Sequence, residues 1–204
     1  MLEKGQRRKQ QIINFAKEMF MTKGFQSTHI GQICKNLNIA RGTVYQYFGN
    51  KREILYAILD SAEEQIGDIL DFDDLTDFLQ SNPSQHSIVQ FITYRITEIS
   101  KHIINEPILI KLIFKKIHGI DDEIEKKIDT FLERLTSILS RDIEELKKKN
   151  IYKEDIDSCI CSFLLWGGIL FLLYNYNKNN KDISEIDTIS LVVNSHLFGV
   201  IQKT

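Results

Sequence analysis

The 204-residue chain is 43% hydrophobic, enough for a sizeable core, and its only two prolines, Pro83 and Pro107, favour long helices over a strand-rich fold. Its formal charge of -2 hides a division: residues 1–53 hold ten Lys/Arg against three Asp/Glu, whereas the remainder holds sixteen against twenty-five. A basic head on an acidic body implies a head that meets a polyanion, and the three cysteines, Cys34, Cys159 and Cys161, form no disulfide framework and suit a reducing cytoplasm.

In chain order, residues 6–22 place Ile12, Ile13, Ala16, Met19 and Phe20 at helical spacing, and Gly24 is a natural stop. Ser27 or Thr28 is expected to cap a second helix with Ile30, Ile33, Cys34 and Leu37 inward. Asn38 suits a left-handed turn residue. A third helix, Ala40 to Phe48, turns Val44 and Phe48 inward and leaves Arg41, Gly42, Thr43, Tyr45, Gln46 and Tyr47 around that thin stripe. So short a helix cannot bury its own face. It must sit on a platform and present the rest outward, as a helix-turn-helix reader of duplex DNA does. Asn50 and Glu53 then have the spacing of a capping box, opening a long fourth helix through Ile54, Leu55, Ile58, Ala62, Ile66 and Ile69.

The run GFQSTHIGQICKNLNIARGTVYQYFGNKREIL resembles the DNA-binding signature of the tetracycline-repressor (TetR) family. The likeness lies at Gly24-Phe25, Thr28, Ile33, Gly42-Thr43, Tyr45, Tyr47-Phe48 and Lys51, and covers roughly the first quarter of the chain. Ala40, Asn38 and Gly49 depart from it, at cap and turn positions. The resemblance implies an all-α chain. A three-helix DNA-binding domain, residues 1–50, would be joined by the fourth helix to a helical effector-binding and dimerisation domain, residues 51–204.

Phosphate anchors and base readers can be sorted on the head. Thr28, at the start of the second helix, offers a hydroxyl and nearby amides to a phosphate, and in the family Tyr47 and Lys51 hold flanking phosphates. Arg41 can fork onto guanine, and the Thr43 methyl or Tyr45 ring can touch a thymine methyl. Gly42 permits close backbone approach, and His29 and Gln46 are further candidates for the same surface. Tyr45→Ala and Lys51→Ala are expected to weaken operator binding with the fold intact.

The body reads as helices throughout. An acidic segment, DFDDLTDFLQ, precedes a turn at Ser81-Asn82-Pro83, and residues 87–104 put Ile88, Ile92, Ile99 and Ile103 on one face. Pro107 opens a helix holding Ile108, Leu109, Leu112, Ile113 and Phe114, which Gly119 and Asp121 end. The next helix carries Ile124, Ile128, Phe131, Leu135, Leu139, Ile143 and Leu146 inward and closes on Lys147-Lys148-Lys149, favourable at a helix C-terminus. Two final helices, about 154–176 and 184–202, are apolar beyond what one core face requires. The uncharged run Ser158 to Asn177 approaches the length of a membrane span, but the flanking Asp155 and Asp157 and the tail's Asn175 and Asn177 favour a buried interface helix.

By the resemblance, the last two helices would form a four-helix bundle with a second subunit, with Leu165, Gly167, Gly168, Leu172, Leu191, Leu197 and Phe198 as the expected contacts. Phe91, Tyr94, Arg95, Phe114, Phe131, Phe163 and Trp166 are the candidate lining of an effector pocket for an apolar or amphipathic small molecule. No glycine-rich phosphate loop, nucleophile motif or metal-ligand spacing appears, and His86, His102 and His118 stand sixteen residues apart, so neither an enzyme nor a cofactor or metal is expected. The expected function is that of a cytoplasmic, homodimeric repressor released from a palindromic operator by its effector. The alternatives are an activator using the same head, or a helical carrier of lipophilic molecules whose basic head meets anionic membrane.

Overall fold

A computed structural model describes the backbone of residues 2–69, 72–114, 122–179 and 186–200, and the side chains of 4–69, 75–114, 122–179 and 188–197. The expected break at Gly119 and Asp121, and His118, lie outside the described residues. Among those described, the regular elements are helices: α1 (Leu2–Lys23), α2 (Ile30–Leu37), α3 (Arg41–Tyr45), α4 (Lys51–Ile69), α5 (Phe72–Gln80), α6 (Gln85–Asn105), α7 (Pro107–Ile113), α8 (Asp122–Lys148), α9 (Ser158–Lys178) and α10 (Ile186–Val200).

Two compact units emerge. The first comprises residues 1–63 and 111–130, and the second residues 64–110 and 131–204. The expected head, 1–50, falls wholly within the first unit.

In the first unit, α1 buries Ile12, Ile13, Ala16, Met19 and Phe20, and α2 and α3 add Ile33, Cys34 and Val44 to that core. Gly24 ends α1 with φ 84°, and Asn38 ends α2 at φ 52°, ψ 49°, so both turns use residues that accept the left-handed region. The Asn50 side chain accepts from the Arg52 and Glu53 amides at 2.9 and 3.1 Å, while a Glu53 oxygen accepts from the Gly49 amide at 2.7 Å. Two orphan amides at the start of α4 are thereby satisfied, as its sequence spacing predicts.

In the second unit, α6 packs against both α9 and α10, and α9 packs against α10. Ser84 caps α6 and Asp157 caps α9, each side chain accepting from the amide three residues on. The start expected near residue 154 therefore falls at Ser158. α9 is long and apolar enough to cross a membrane. One face of it is already covered within the unit: Cys161, Ser162, Leu165, Trp166, Ile169, Leu170 and Leu173 are buried.

Candidate nucleic-acid interface

The candidate surface is built by two short helices held from beneath. On α3 only Val44 is buried; Arg41, Gly42 and Tyr45 are exposed and Thr43 is half-buried. The helix is shorter than the sequence suggests, because the amides of Tyr47 and Phe48 both close onto the Val44 carbonyl, at 2.9 and 3.0 Å. That tightening drives Phe48 into the core and leaves Gln46 exposed and Tyr47 half-buried. A Cβ on Gly31 of α2 would lie 2.9 Å from an Arg41 guanidinium nitrogen. Arg41 thus lies over the bare backbone of α2, joining both helices in one exposed basic surface. Tyr47 reaches α1, where a Cβ on Gly5 would sit 3.6 Å from its hydroxyl.

Two of the expected phosphate anchors have internal partners. Thr28 is fully buried and its hydroxyl donates to the Gly24 carbonyl at 2.8 Å. It is therefore not the cap of α2. That place is taken by exposed His29, whose amide donates to the Gln32 side chain at 3.1 Å. The Lys51 ammonium donates to the carbonyls of Phe25, Gln26 and Thr28 at 2.7, 2.9 and 3.1 Å, and stands 4.6 Å from the Phe25 ring centroid. An ammonium has three donors, so this one is saturated by the loop between α1 and α2. Partial burial lowers its pKa from the ordinary 10.5.

The body contains a small cavity between α6, α8 and α9, with room for a water-sized centre of about 20 Å³, enough for a single water molecule. Of the residues expected around an effector, Arg95 and Trp166 line it. Tyr94 and Phe163 do not; they are exposed, 64% and 59%. Phe131 is buried in the core, Phe91 is stacked on Phe78 with centroids 4.5 Å apart, and half-buried Phe114 belongs to the first unit. Tyr94 and Arg95 are adjacent on one helix and point about 100° apart, so one faces in and the other out.

Arg95 forms a buried ion pair. Its Nη1 donates to Oδ2 of Asp142 at 2.9 Å, with both side chains buried. Burial pushes the Asp142 carboxyl up to about 6, against the opposing pull of Arg95 and Arg141. Asp142 is absent from the sequence-derived candidates. Its signal was available: it follows Leu135 and Leu139 and precedes Leu146 at three-four spacing, an acid in an apolar stripe.

Of the expected dimer contacts, Leu165 and Leu197 are buried inside the second unit, because they face α9's and α10's own neighbours. Gly167, Gly168 and Leu191 are exposed and Leu172 is half-buried; the side chain of Phe198 lies outside the described residues. Ile160, Phe163, Leu164 and Phe171 complete an exposed apolar face on α9.

The family of "Bacterial regulatory proteins, tetR family" matches residues 12–58, which run from α1 into α4. The chain is 38% identical over 63 residues to the HTH-type transcriptional regulator HbdR of Aromatoleum sp. (strain CIB), covering 29% of this chain but only 28% of that one. It is 24% identical over 159 residues to the biofilm operon icaADBC HTH-type negative transcriptional regulator IcaR of Staphylococcus aureus, covering 76% and 80% of the two chains. The whole fold is similar to FadR from Bacillus subtilis, a transcriptional regulator solved in complex with stearoyl-CoA, with TM-score 0.71, 19% identity and 94% and 98% coverage. These relatives are regulators, not enzymes. Residues 12–58 thus match the DNA-binding part of the TetR family of regulatory proteins, and the chain as a whole shares the all-α fold of such a regulator.

Proposed function

We propose that this protein is a cytoplasmic, homodimeric repressor that binds a palindromic operator and leaves it when a small apolar or amphipathic effector enters the body. The observation that carries the reading is the exposed strip Arg41, Gly42, Tyr45 and Gln46, held outward by buried Val44 and Phe48 on a head with a surplus of seven basic residues, ten against three. Arg41, Thr43 and Tyr45 address base edges, and His29, Gln46 and Tyr47 flank them. Thr28 and Lys51 act one step back, by fixing the loop on which the reading helix rests.

The occupant of the exposed α9 face is a second copy of the chain. Among the described residues, a Cβ on Gly167 would meet nothing within 4 Å, so none of them requires a glycine there. Glycine costs a helix interior about 1 kcal/mol relative to alanine, a loss that close approach of a partner helix offsets. A two-fold pair would set two reading helices into successive major grooves, about 34–36 Å apart. Support for an effector comes from the family's regulatory membership and from FadR of B. subtilis, seen with stearoyl-CoA.

Selection of bound duplexes from a random pool tests the whole. The expected result is one palindrome, bound in a salt-sensitive manner and lost in Tyr45→Ala. Binding without base preference, or equal binding to anionic vesicles, would instead establish a polyanion- or membrane-directed head.

A further inference from the structure

The Arg95–Asp142 pair is incomplete in an informative way. Asp142 takes only Nη1 of the guanidinium, while Arg95 Nε and Nη2 and Asp142 Oδ1 are buried without a hydrogen-bond partner among the described residues. Nε–H and Nη2–H lie on one edge of the planar guanidinium and point the same way, the two-pronged geometry that a carboxylate accepts. Arg95 and Asp142 are 5% and 6% exposed, and both line the body cavity. The Phe91 ring lies 5.6 Å from the guanidinium carbon, and Ile92, Ile96, Ile99, Leu135, Leu139 and Trp166 supply apolar wall. Unfilled buried donors are costly because they lose the hydrogen bonds water would give them, so an unfilled fork facing a cavity is a place for a ligand.

The chemistry narrows the class. Nε and two-hydrogen Nη2 leave three N–H bonds open against one acceptor, Oδ1, so the missing group is rich in acceptors. A single water accepts at most two hydrogen bonds, so at least one of the three N–H bonds stays open. A phosphate would carry nearly two negative charges into these apolar surroundings beside Asp142, against the one of a carboxylate, and desolvation opposes the excess. Alcohols and esters cannot fill both prongs with one charged group. We propose that the body binds a monocarboxylate carried on an apolar skeleton, its two oxygens seated on Nε and Nη2 of Arg95 and its skeleton among the isoleucines and leucines of α6 and α8. This deepens the effector reading above and names the effector's class. Because the closed cavity admits only a water, the skeleton enters by parting these walls.

The chain's single tryptophan, Trp166, lines the same cavity, so its fluorescence reports occupancy directly and without DNA. The test titrates the full chain with sodium carboxylates from butanoate to dodecanoate and with 3-phenylpropanoate, then with the alcohol and methyl ester of the best binder. The expected result is saturable change for a carboxylate and binding at least roughly tenfold weaker for its ester and alcohol. Arg95→Leu paired with Asp142→Leu removes both charges together, so neither is left buried alone. That variant should keep its helical spectrum, lose the preference for carboxylate and bind the alcohol at least as well as the acid. Equal binding of ester and acid, undiminished carboxylate preference in the double variant, or no response to any carboxylate would overturn the proposal. Carboxylate binding that leaves operator affinity unchanged would sustain it while overturning the effector reading.

Discussion

Lys51→Met separates two roles that a basic residue at the head of α4 can play. As a phosphate anchor, its loss would leave stability unchanged and reduce the slope of log K against log salt by about one. As a tie, its loss removes three charge-assisted hydrogen bonds, to the carbonyls of Phe25, Gln26 and Thr28. Such bonds are worth about 1.5–3 kcal/mol each when fully buried. Lys51 is only half-buried and Gln26 is exposed, so water replaces part of that set, and about 2–4 kcal/mol is the expected loss. For a chain of this size that is a fall of roughly 5–15 °C in Tm. Urea denaturation gives the stability, and fluorescence anisotropy with an operator duplex at three salt concentrations gives the slope. The tie predicts lower stability and an unchanged slope, with affinity falling only as the α1–α2 loop loosens. Unchanged stability with a shallower slope would refute the argument and restore Lys51 to the phosphate.

Thr28→Val, by the same logic, should cost about 1 kcal/mol for the hydrogen bond lost to Gly24 and leave the salt slope alone, read by the same two assays. Asp142 makes stability depend on pH. Its folded pKa, about 6, lies above the ordinary aspartate value of 3.8, so the native state holds the proton more tightly. The stabilisation is full below about pH 4 and is lost as pH rises through 6, a swing of about 3 kcal/mol. Urea curves from pH 4 to 7 should show that swing in the wild type relative to the Arg95→Leu, Asp142→Leu double variant, and parallel curves would refute it. At pH 7 the double variant should match or exceed the wild type, since breaking a buried pair from one side costs about 3–5 kcal/mol but replacing both members often does not. Gly167→Glu should give a monomer by light scattering with its helical spectrum retained; a dimer of normal affinity would move the interface off α9.

The legible parts of the chain were those decided locally. Gly24 and Asn38 announce their left-handed turns, and Asn50 with Glu53 announces the start of α4, because each signal and its consequence lie within a few residues. The same holds for the exposed strip of α3, where one buried Val44 fixes which side faces out. The internal partners of Thr28 and Lys51 were not legible because they are set by tertiary proximity, Lys51 meeting residues 23 to 26 positions earlier. His29 was passed over as the α2 cap for a related reason: the better capping residue, Thr28, has its hydroxyl taken by Gly24. On α9 the sequence is apolar all round, so nothing in its periodicity tells Trp166 from Phe163. Tertiary neighbours make that choice, the Trp166 indole donating to the Leu135 carbonyl of α8 at 3.2 Å.

The effector reading makes a demand on α8 that can be tested apart from the ligand's identity. Residues 122–130 of this helix belong to the first unit, where Glu123 pairs with Arg52 at 3.0 Å and Lys127 with Asp60 at 2.6 Å, both partners on α4. Residues 131–148 belong to the second unit, where Asp142 pairs with Arg95. A ligand that parts the cavity walls changes operator affinity only by its preference for the parted state, and tenfold release needs about 1.4 kcal/mol of that preference. The two α4–α8 pairs involve exposed or half-buried side chains and are worth about 0–1 kcal/mol each, a scale comparable with the coupling required. Glu123→Gln with Lys127→Gln should therefore leave carboxylate binding to Trp166's cavity unchanged while altering how far the carboxylate lowers operator affinity. If the ligand's effect on operator affinity is identical in this variant, the signal does not pass through the α4–α8 pairs, and another element must carry it.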